Sequence, residues 1–218
     1  MWIKICGNTS LADAQMSVDA GADAVGFVFA ASPRRVTPQQ VAAITSDLPA
    51  SIEKIGVFVD SSFDEIASTV RLCKLTGVQL HAEVGNETAA ELRAKFGSSL
   101  RILRVVHFGP DAQKQSAALA SDPDLDGILV DSRTATAVGG TGIAFDWNAA
   151  SQILFRGPEA RKRLIVAGGL NPENVSTAIA TLAPWGVDVV SGVESAPGHK
   201  DRAKVMAFVA NARSTAQP

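Results

Sequence analysis

The sequence predicts an α/β fold, a closed (β/α)8 barrel of the TIM class. Three observations carry that prediction. Short β-branched runs alternate with alanine-rich amphipathic stretches from one end of the chain to the other, the pattern of βα units on a parallel sheet. Eight runs of each kind fit into 218 residues, or about 27 residues per unit, close to the lower size limit of a (β/α)8 barrel. An open doubly wound sheet would place a glycine-rich nucleotide turn after the first strand. Cys6, Gly7 and Asn8 stand there instead, with no G-x-G-x-x-G. No linker or low-complexity tract interrupts the pattern, so residues 1–218 are read as one barrel domain.

In order along the chain, the strands are expected at Trp2–Ile5, Ala24–Phe29, Lys54–Val59, Gly77–Leu80, Leu100–Val106, Gly127–Val130, Arg163–Ala167 and Val187–Val190. The helices between and after them are expected near Leu11–Ala20, Pro38–Ser46, Phe63–Lys74, Glu87–Lys95, Asp111–Ala120, Trp147–Phe155, Pro172–Leu182 and Asp201–Ala212. Ser10 caps the first helix and Thr37 precedes Pro38, while Asn171 precedes Pro172 at the first position of the seventh. The longest connection, Asp131 to Asp146, is rich in Gly and Thr, and long loops in compact domains are more often functional than idle.

Composition narrows the function. Twenty basic against 22 acidic residues give a net charge of −2, which favours neither nucleic acid nor an anionic membrane surface. The short basic knot at Arg161, Lys162 and Arg163 reads as a solvated turn rather than a binding patch. Two cysteines suit a reducing compartment, and no apolar run approaches a membrane span or a signal-peptide core. The expectation is a cytoplasmic protein. Tyrosine is absent and so leaves the list of catalytic acids.

Active sites of this fold lie at the carboxyl ends of the strands. Reading those ends gives Cys6, Ser32–Arg35, Asp60, His81, His107, Asp131, Gly168 with Gly169, and Ser191 with Gly192. Glycine clusters follow strands six, seven and eight: Gly139, Gly140, Thr141 and Gly142; Gly168 and Gly169; and Gly192 beside Ser191. Glycine lets backbone N–H groups approach an anion, and the last two loops are the fold's frequent phosphate site. Three clusters in one quadrant point to a phosphorylated small-molecule substrate.

Alternation turns Trp2, Lys4 and Cys6 into the barrel and Ile3 and Ile5 toward the helices. Cys6 is then either a small buried hydrophobe or, with Lys4 below it, a thiol of lowered pKa serving as base or nucleophile. Asp131 either braces its loop or faces Cys6 across the mouth as an acid. Lys4 needs a buried carboxylate, for which Asp188 is the candidate, because strand eight closes against strand one. Arg35 can hold a carboxylate in bidentate fashion and, read alone, is a surface loop residue. Cys73 lies in a helical apolar pattern and reads as core. His81, His107 and His199 have no partner at ligand spacing, so no metal site is expected.

Nine segments in order carry a resemblance: KICG at 4–7, GADAVGFVF at 21–29, GVFV at 56–59, VQLH at 78–81, VDS at 130–132, GGTG at 139–142, FDW at 145–147, AGGLNPENV at 167–175 and DVVSGVES at 188–195. Through them the chain resembles the phosphoribosylanthranilate isomerases of tryptophan biosynthesis. The resemblance implies rearrangement of N-(5-phosphoribosyl)anthranilate to 1-(2-carboxyphenylamino)-1-deoxyribulose 5-phosphate, with no cofactor. It implies Cys6 as general base, Asp131 as general acid, Arg35 near the anthranilate carboxylate, and Gly140, Thr141, Gly142, Gly168, Gly169, Ser191 and Gly192 around the phosphate. His81 would line the site. Two departures, Asn8 for an apolar residue and Ala82 for a glycine, are expected to alter the approach to the ring. The alternatives are a histidine-pathway isomerase, which carries Asp where Cys6 stands, and a silent phosphate-ligand binding protein. The sequence leaves the oligomeric state open.

Overall fold

The computed structural model describes residues 1–81, 84–85, 87–131, 146–155 and 162–215. Eight parallel strands close into a barrel in chain order, and β8 returns to pair with β1. They are β1 (Trp2–Ile5), β2 (Ala24–Val28), β3 (Glu53–Phe58), β4 (Gly77–Leu80), β5 (Arg101–His107), β6 (Gly127–Asp131), β7 (Arg163–Ala167) and β8 (Gly186–Val189). The helices are α1 (Leu11–Asp19), α2 (Pro38–Ser46), α3 (Phe63–Leu72), α4 (Thr88–Phe96), α5 (Ala112–Ala120), α6 (Trp147–Ala150), α7 (Val175–Leu182) and α8 (Arg202–Thr215). A hairpin of β9 (Glu194–Ala196) and β10 (His199–Lys200) lies between β8 and α8.

Both faces of the strands are buried, which is why they read as near-continuous apolar runs. One face packs on helices, as Ile3, Ile5, Val106, Val166 and Val187 do. The other fills the barrel with Trp2, Ala24, Ile55, Leu103, Val105, Leu129, Ile165 and Ala167. Trp2 stacks on Trp185 with ring centroids 5.3 Å apart at the amino-terminal end, so that end of the barrel is filled by rings. The alternation expected of β1 therefore holds.

Local chemistry sets the helix starts. The Ser10 hydroxyl accepts the Asp13 N–H at 3.1 Å, and Thr37 forms a reciprocal cap with Gln40. The seventh helix departs from its expected start. Asn171 does cap a turn, accepting the Glu173 and Asn174 N–H groups, but the helix proper begins at Val175, not Pro172. The Asn174 amide donates to the Gly169 carbonyl, tying this turn to the loop after β7 rather than to the helix. The sixth helical segment keeps the expected bounds, Trp147–Phe155, but not one type: after the capped turn of α6 it widens into a π-helix, Ser151–Phe155, that buries Leu154 and Phe155.

The basic knot is not a patch among the described residues. Lys162 donates to the Asp122 and Leu125 carbonyls, and Arg163 lies over the Trp185 ring. Among the described residues no helix is long and apolar enough to cross a membrane.

Candidate active site

At the carboxyl end of β1 the Cys6 side chain is 3% exposed. Space for it comes from Gly26 on β2, where an added Cβ would lie 2.5 Å from Cys6 Sγ and 2.9 Å from Lys4 Cε. Below the thiol, the fully buried Lys4 ammonium pairs with Asp188 Oδ2 at 3.0 Å and donates to Gln79 Oε1. Lys4 and Asp188 are register partners across the β1–β8 closure, so the pair expected from alternation is present. Burial opposes the Lys4 charge, but the Asp188 carboxylate beside it, together with Cys6, outweighs burial and holds the ammonium above its ordinary range.

The thiol departs from expectation. Burial pushes Cys6 above the ordinary thiol value of 9.0, even though Lys4 and Lys200 pull it down. Lys4 alone therefore does not produce a low-pKa cysteine, because removing the thiolate from water costs more than one neighbouring ammonium returns.

Asp131 closes β6 and is 4% exposed. Across the ladder it pairs with His107 on β5 and Ala167 on β7. His81, just past β4, faces His107 with ring centroids 5.9 Å apart. His81, His107 and Asp131 thus follow one another around the rim, and Asp131 is close enough to Asp188 for the two carboxyls to feel each other. Among the described residues no group of three or more His, Cys, Asp or Glu gathers at metal-binding distance.

Arg35 is exposed, and its neighbour Arg34 is the guanidinium that turns inward. A turn closed by the Arg35 N–H on the Ser32 carbonyl, followed by the buried Val36, aims the two side chains differently. Arg34 binds Glu194 in bidentate fashion at 2.8 and 2.6 Å and packs over Gly7, its Cδ 2.9 Å from where a Gly7 Cβ would stand.

The glycine loops after β7 and β8 lie against each other. Gly168 and Gly169 take φ of 82° and 67°, a conformation that glycine adopts without strain. A Cβ on Gly192 would stand 1.9 Å from the Leu170 carbonyl oxygen, so only glycine allows this approach. Ser191, at the open end of β8, is exposed. Gly139, Gly140, Thr141, Gly142 and Ala82 lie outside the described residues. Asn8, expected to alter the approach to the ring, is fully buried and donates to the Ile5 and Gly26 carbonyls, bracing β1 and β2. Cys73 is core, with its thiol pushed up to about 11 by burial.

Sequence reasoning missed Gly26, Glu194 and Lys200, and within the candidate stretch Ser32–Arg35 it singled out Arg35 rather than Arg34. The Pro197-Gly198 turn flanked by Glu194 and Lys200 was a hairpin signal that could have found those two residues. Nothing local separates Arg34 from Arg35.

The profile of the family described as N-(5'phosphoribosyl)anthranilate (PRA) isomerase matches residues 3–211. The chain is 47% identical to the N-(5'-phosphoribosyl)anthranilate isomerase of Magnetococcus marinus, over 97% of this chain and 94% of that one. It is 43% identical to that of Pseudomonas fluorescens, over 94% and 95%. Among solved structures, the phosphoribosyl anthranilate isomerase of Thermotoga maritima superposes with a TM-score of 0.84 at 35% identity, covering 98% of this chain and 99% of that one. A phosphoribosyl anthranilate isomerase in complex with reduced 1-(o-carboxyphenylamino)-1-deoxyribulose 5-phosphate superposes at 0.81 with 34% identity and the same coverage.

Proposed function

Because the chain belongs to the N-(5'-phosphoribosyl)anthranilate isomerase family, we propose that it converts N-(5'-phosphoribosyl)anthranilate to 1-(o-carboxyphenylamino)-1-deoxyribulose 5-phosphate, with Cys6 as general base and Asp131 as general acid. The observation that carries this reading is the buried thiol at the end of β1 and the buried carboxyl at the end of β6, on the same rim of one barrel. Protonated Asp131 delivers its proton to the ribose ring oxygen as the C1–O bond breaks and the nitrogen lone pair forms a protonated imine. The Cys6 thiolate then takes the C2 proton. The C–H electrons become the C1–C2 double bond of an enolamine, whose enol proton leaves as C1 is protonated, giving the ketone. Oxidation at C2 balances reduction at C1, so no external electron acceptor enters.

The loops at Gly168, Gly169, Ser191 and Gly192 hold the phosphate, joined by Gly140, Thr141 and Gly142. The related enzyme solved in complex with reduced 1-(o-carboxyphenylamino)-1-deoxyribulose 5-phosphate supports a phosphorylated ligand for this fold. His81 lines the rim between β4 and β5. We assign the carboxylate role to Arg34 rather than the exposed Arg35, because Arg34 is the one held in by Glu194 over Gly7, next to Cys6. Arg34→Ala is expected to raise KM by the worth of a charge-assisted hydrogen bond, about 1.5 to 3 kcal/mol or roughly tenfold to a hundredfold. Arg35→Ala should leave KM unchanged; the reverse pattern would return the role to Arg35.

Loss of anthranilate fluorescence measures turnover. Consumption of N-(5'-phosphoribosyl)anthranilate supports the reading. Turnover of the histidine-pathway substrate alone, or binding without turnover, overturns it.

A further inference from the structure

A second buried charge cluster lies behind the thiol, and the proposed steps do not use it. Lys200 on β10 has a fully buried side chain. Its ammonium donates to the Cys6 carbonyl at 2.6 Å, the Val190 carbonyl at 3.2 Å and Glu194 Oε1 at 3.2 Å. Three acceptors match the three N–H bonds of an ammonium, one more than a neutral amine offers. Glu194 in turn accepts both bonds from Arg34 and the Gly198 N–H at 3.3 Å, while the Lys200 backbone N–H reaches Asp13 Oδ1 at 3.2 Å. The two carbonyls that Lys200 holds lie one residue past the ends of β1 and β8. One belongs to the residue that carries the thiol, and the other immediately precedes Ser191 and Gly192.

From this geometry we infer that Lys200 is a positioning residue: it fixes the Cys6 backbone to the loop after β8 and places a buried positive charge behind the thiol that favours the thiolate. The inference rests on Cys6 being the base. Burying an ammonium is costly, and a well-packed apolar side chain would hold the fold as well. The charge gains value where an anion must form in a water-poor site, since Coulomb attraction is strong there. The thiol is faced by Lys4 from its own strand, Asp188 from β8, Arg34 from the loop after β2 and Lys200 from β10, with Glu194 on the far side of Lys200. Lys4 and Lys200 both work against the burial that raises the thiol. Lys4 is already neutralised by Asp188 at 3.0 Å. Lys200 shares its carboxylate with Arg34, so Glu194 balances two cations rather than one.

The test is a thiol titration of the resting enzyme in a Cys73→Ser background, followed by iodoacetamide alkylation rate against pH, with the pH profile of kcat/KM measured alongside. Lys200→Gln keeps a donor for the Cys6 carbonyl and removes the charge. Its thiol midpoint should rise by roughly one pH unit, a tenfold loss of thiolate at a given pH, and kcat/KM near neutrality should fall by a similar factor. An unmoved midpoint with a lowered melting temperature would make Lys200 purely structural and overturn the inference. Lys200→Arg keeps the charge, so its midpoint should stay within a few tenths of the parent's. A shift as large as a full unit there overturns the inference even if Lys200→Gln does not fold. Turnover retained by Cys6→Ser would strike the assignment of the base instead, and would leave the titration result standing.

Discussion

The chemistry of the site turns on single side chains whose environments oppose their usual charge. Cys6 is almost wholly withdrawn from water, and burial raises its thiol above 9.0 despite two nearby ammonium groups. In the free enzyme only a small thiolate fraction is present near neutrality. The rate of iodoacetamide alkylation of the resting enzyme should therefore climb about tenfold per pH unit toward a midpoint above 9, because alkylation needs only the thiolate. A midpoint near 7 would show that the cations outweigh burial. Lys4 sits in the same cluster with the opposite problem. Replacing it by Met leaves the Asp188 carboxylate buried without its cation, which should destabilise the fold by roughly 3 to 5 kcal/mol in denaturant titration. The sign with pH is defined: the folded-state pKa of Lys4 is raised above 10.5, so its contribution is complete below 10.5 and is lost only as pH rises through the higher folded value. At this scale the sequence was legible where alternation applies. Lys4, Cys6 and the Asp188 partner followed from a period of two and from the closure of β8 on β1. The direction of the thiol shift did not follow, because it depends on how completely several strands exclude water. That Arg34 turns inward while Arg35 is exposed did not follow either, because the turn Ser32–Arg35 decides it.

Strands and loops place these groups by leaving space as much as by filling it. Gly26 is the clearest case, since β2 passes the thiol with no side chain of its own. Gly26→Ala would put a methyl 2.5 Å from Sγ and force the thiol or the strand to move. Misplacing a catalytic group by about 1 Å costs on the order of a hundredfold, so kcat should drop by that order while the melting temperature falls little by comparison. Unchanged kcat would mean that the thiol position is not critical. The strands themselves were readable, because runs such as Trp2–Ile5, Gly77–Leu80 and Arg163–Ala167 are apolar, β-branched and bounded by polar turns. Helix starts were readable where a cap stands directly before the first turn, as at Ser10 and Thr37. Asn171 misled because its side chain caps a turn that serves the loop after β7, and the tertiary bond from Asn174 to Gly169 decides where the helix begins. The β9–β10 hairpin is only a few residues long and has no apolar alternation. What holds it is the ion cluster of Arg34, Glu194 and Lys200, which joins residues 160 positions apart and leaves no local periodicity.

For the whole molecule, the barrel gathers groups that are distant in sequence onto one rim: the thiol from β1, the guanidinium beyond β2, the imidazoles after β4 and on β5, the carboxyl from β6 and the glycine loops after β7 and β8. The opposite end is filled by stacked Trp2 and Trp185 under Arg101 and Arg163, which leaves the chemistry to the carboxyl ends of the strands. The family was legible because nine short segments keep their order and spacing, and each maps to a strand end or a loop on that rim or to residues outside the described set. The central claim is that one thiol and one carboxyl on this rim carry out the two proton transfers. The most direct measurement is turnover of N-(5'-phosphoribosyl)anthranilate, followed by anthranilate fluorescence, for the parent, Cys6→Ser and Asp131→Asn, each first shown to be folded. Each variant should lose roughly 10² to 10⁴-fold in kcat, the usual worth of a positioned acid or base. Near-parental turnover in both would contradict the account.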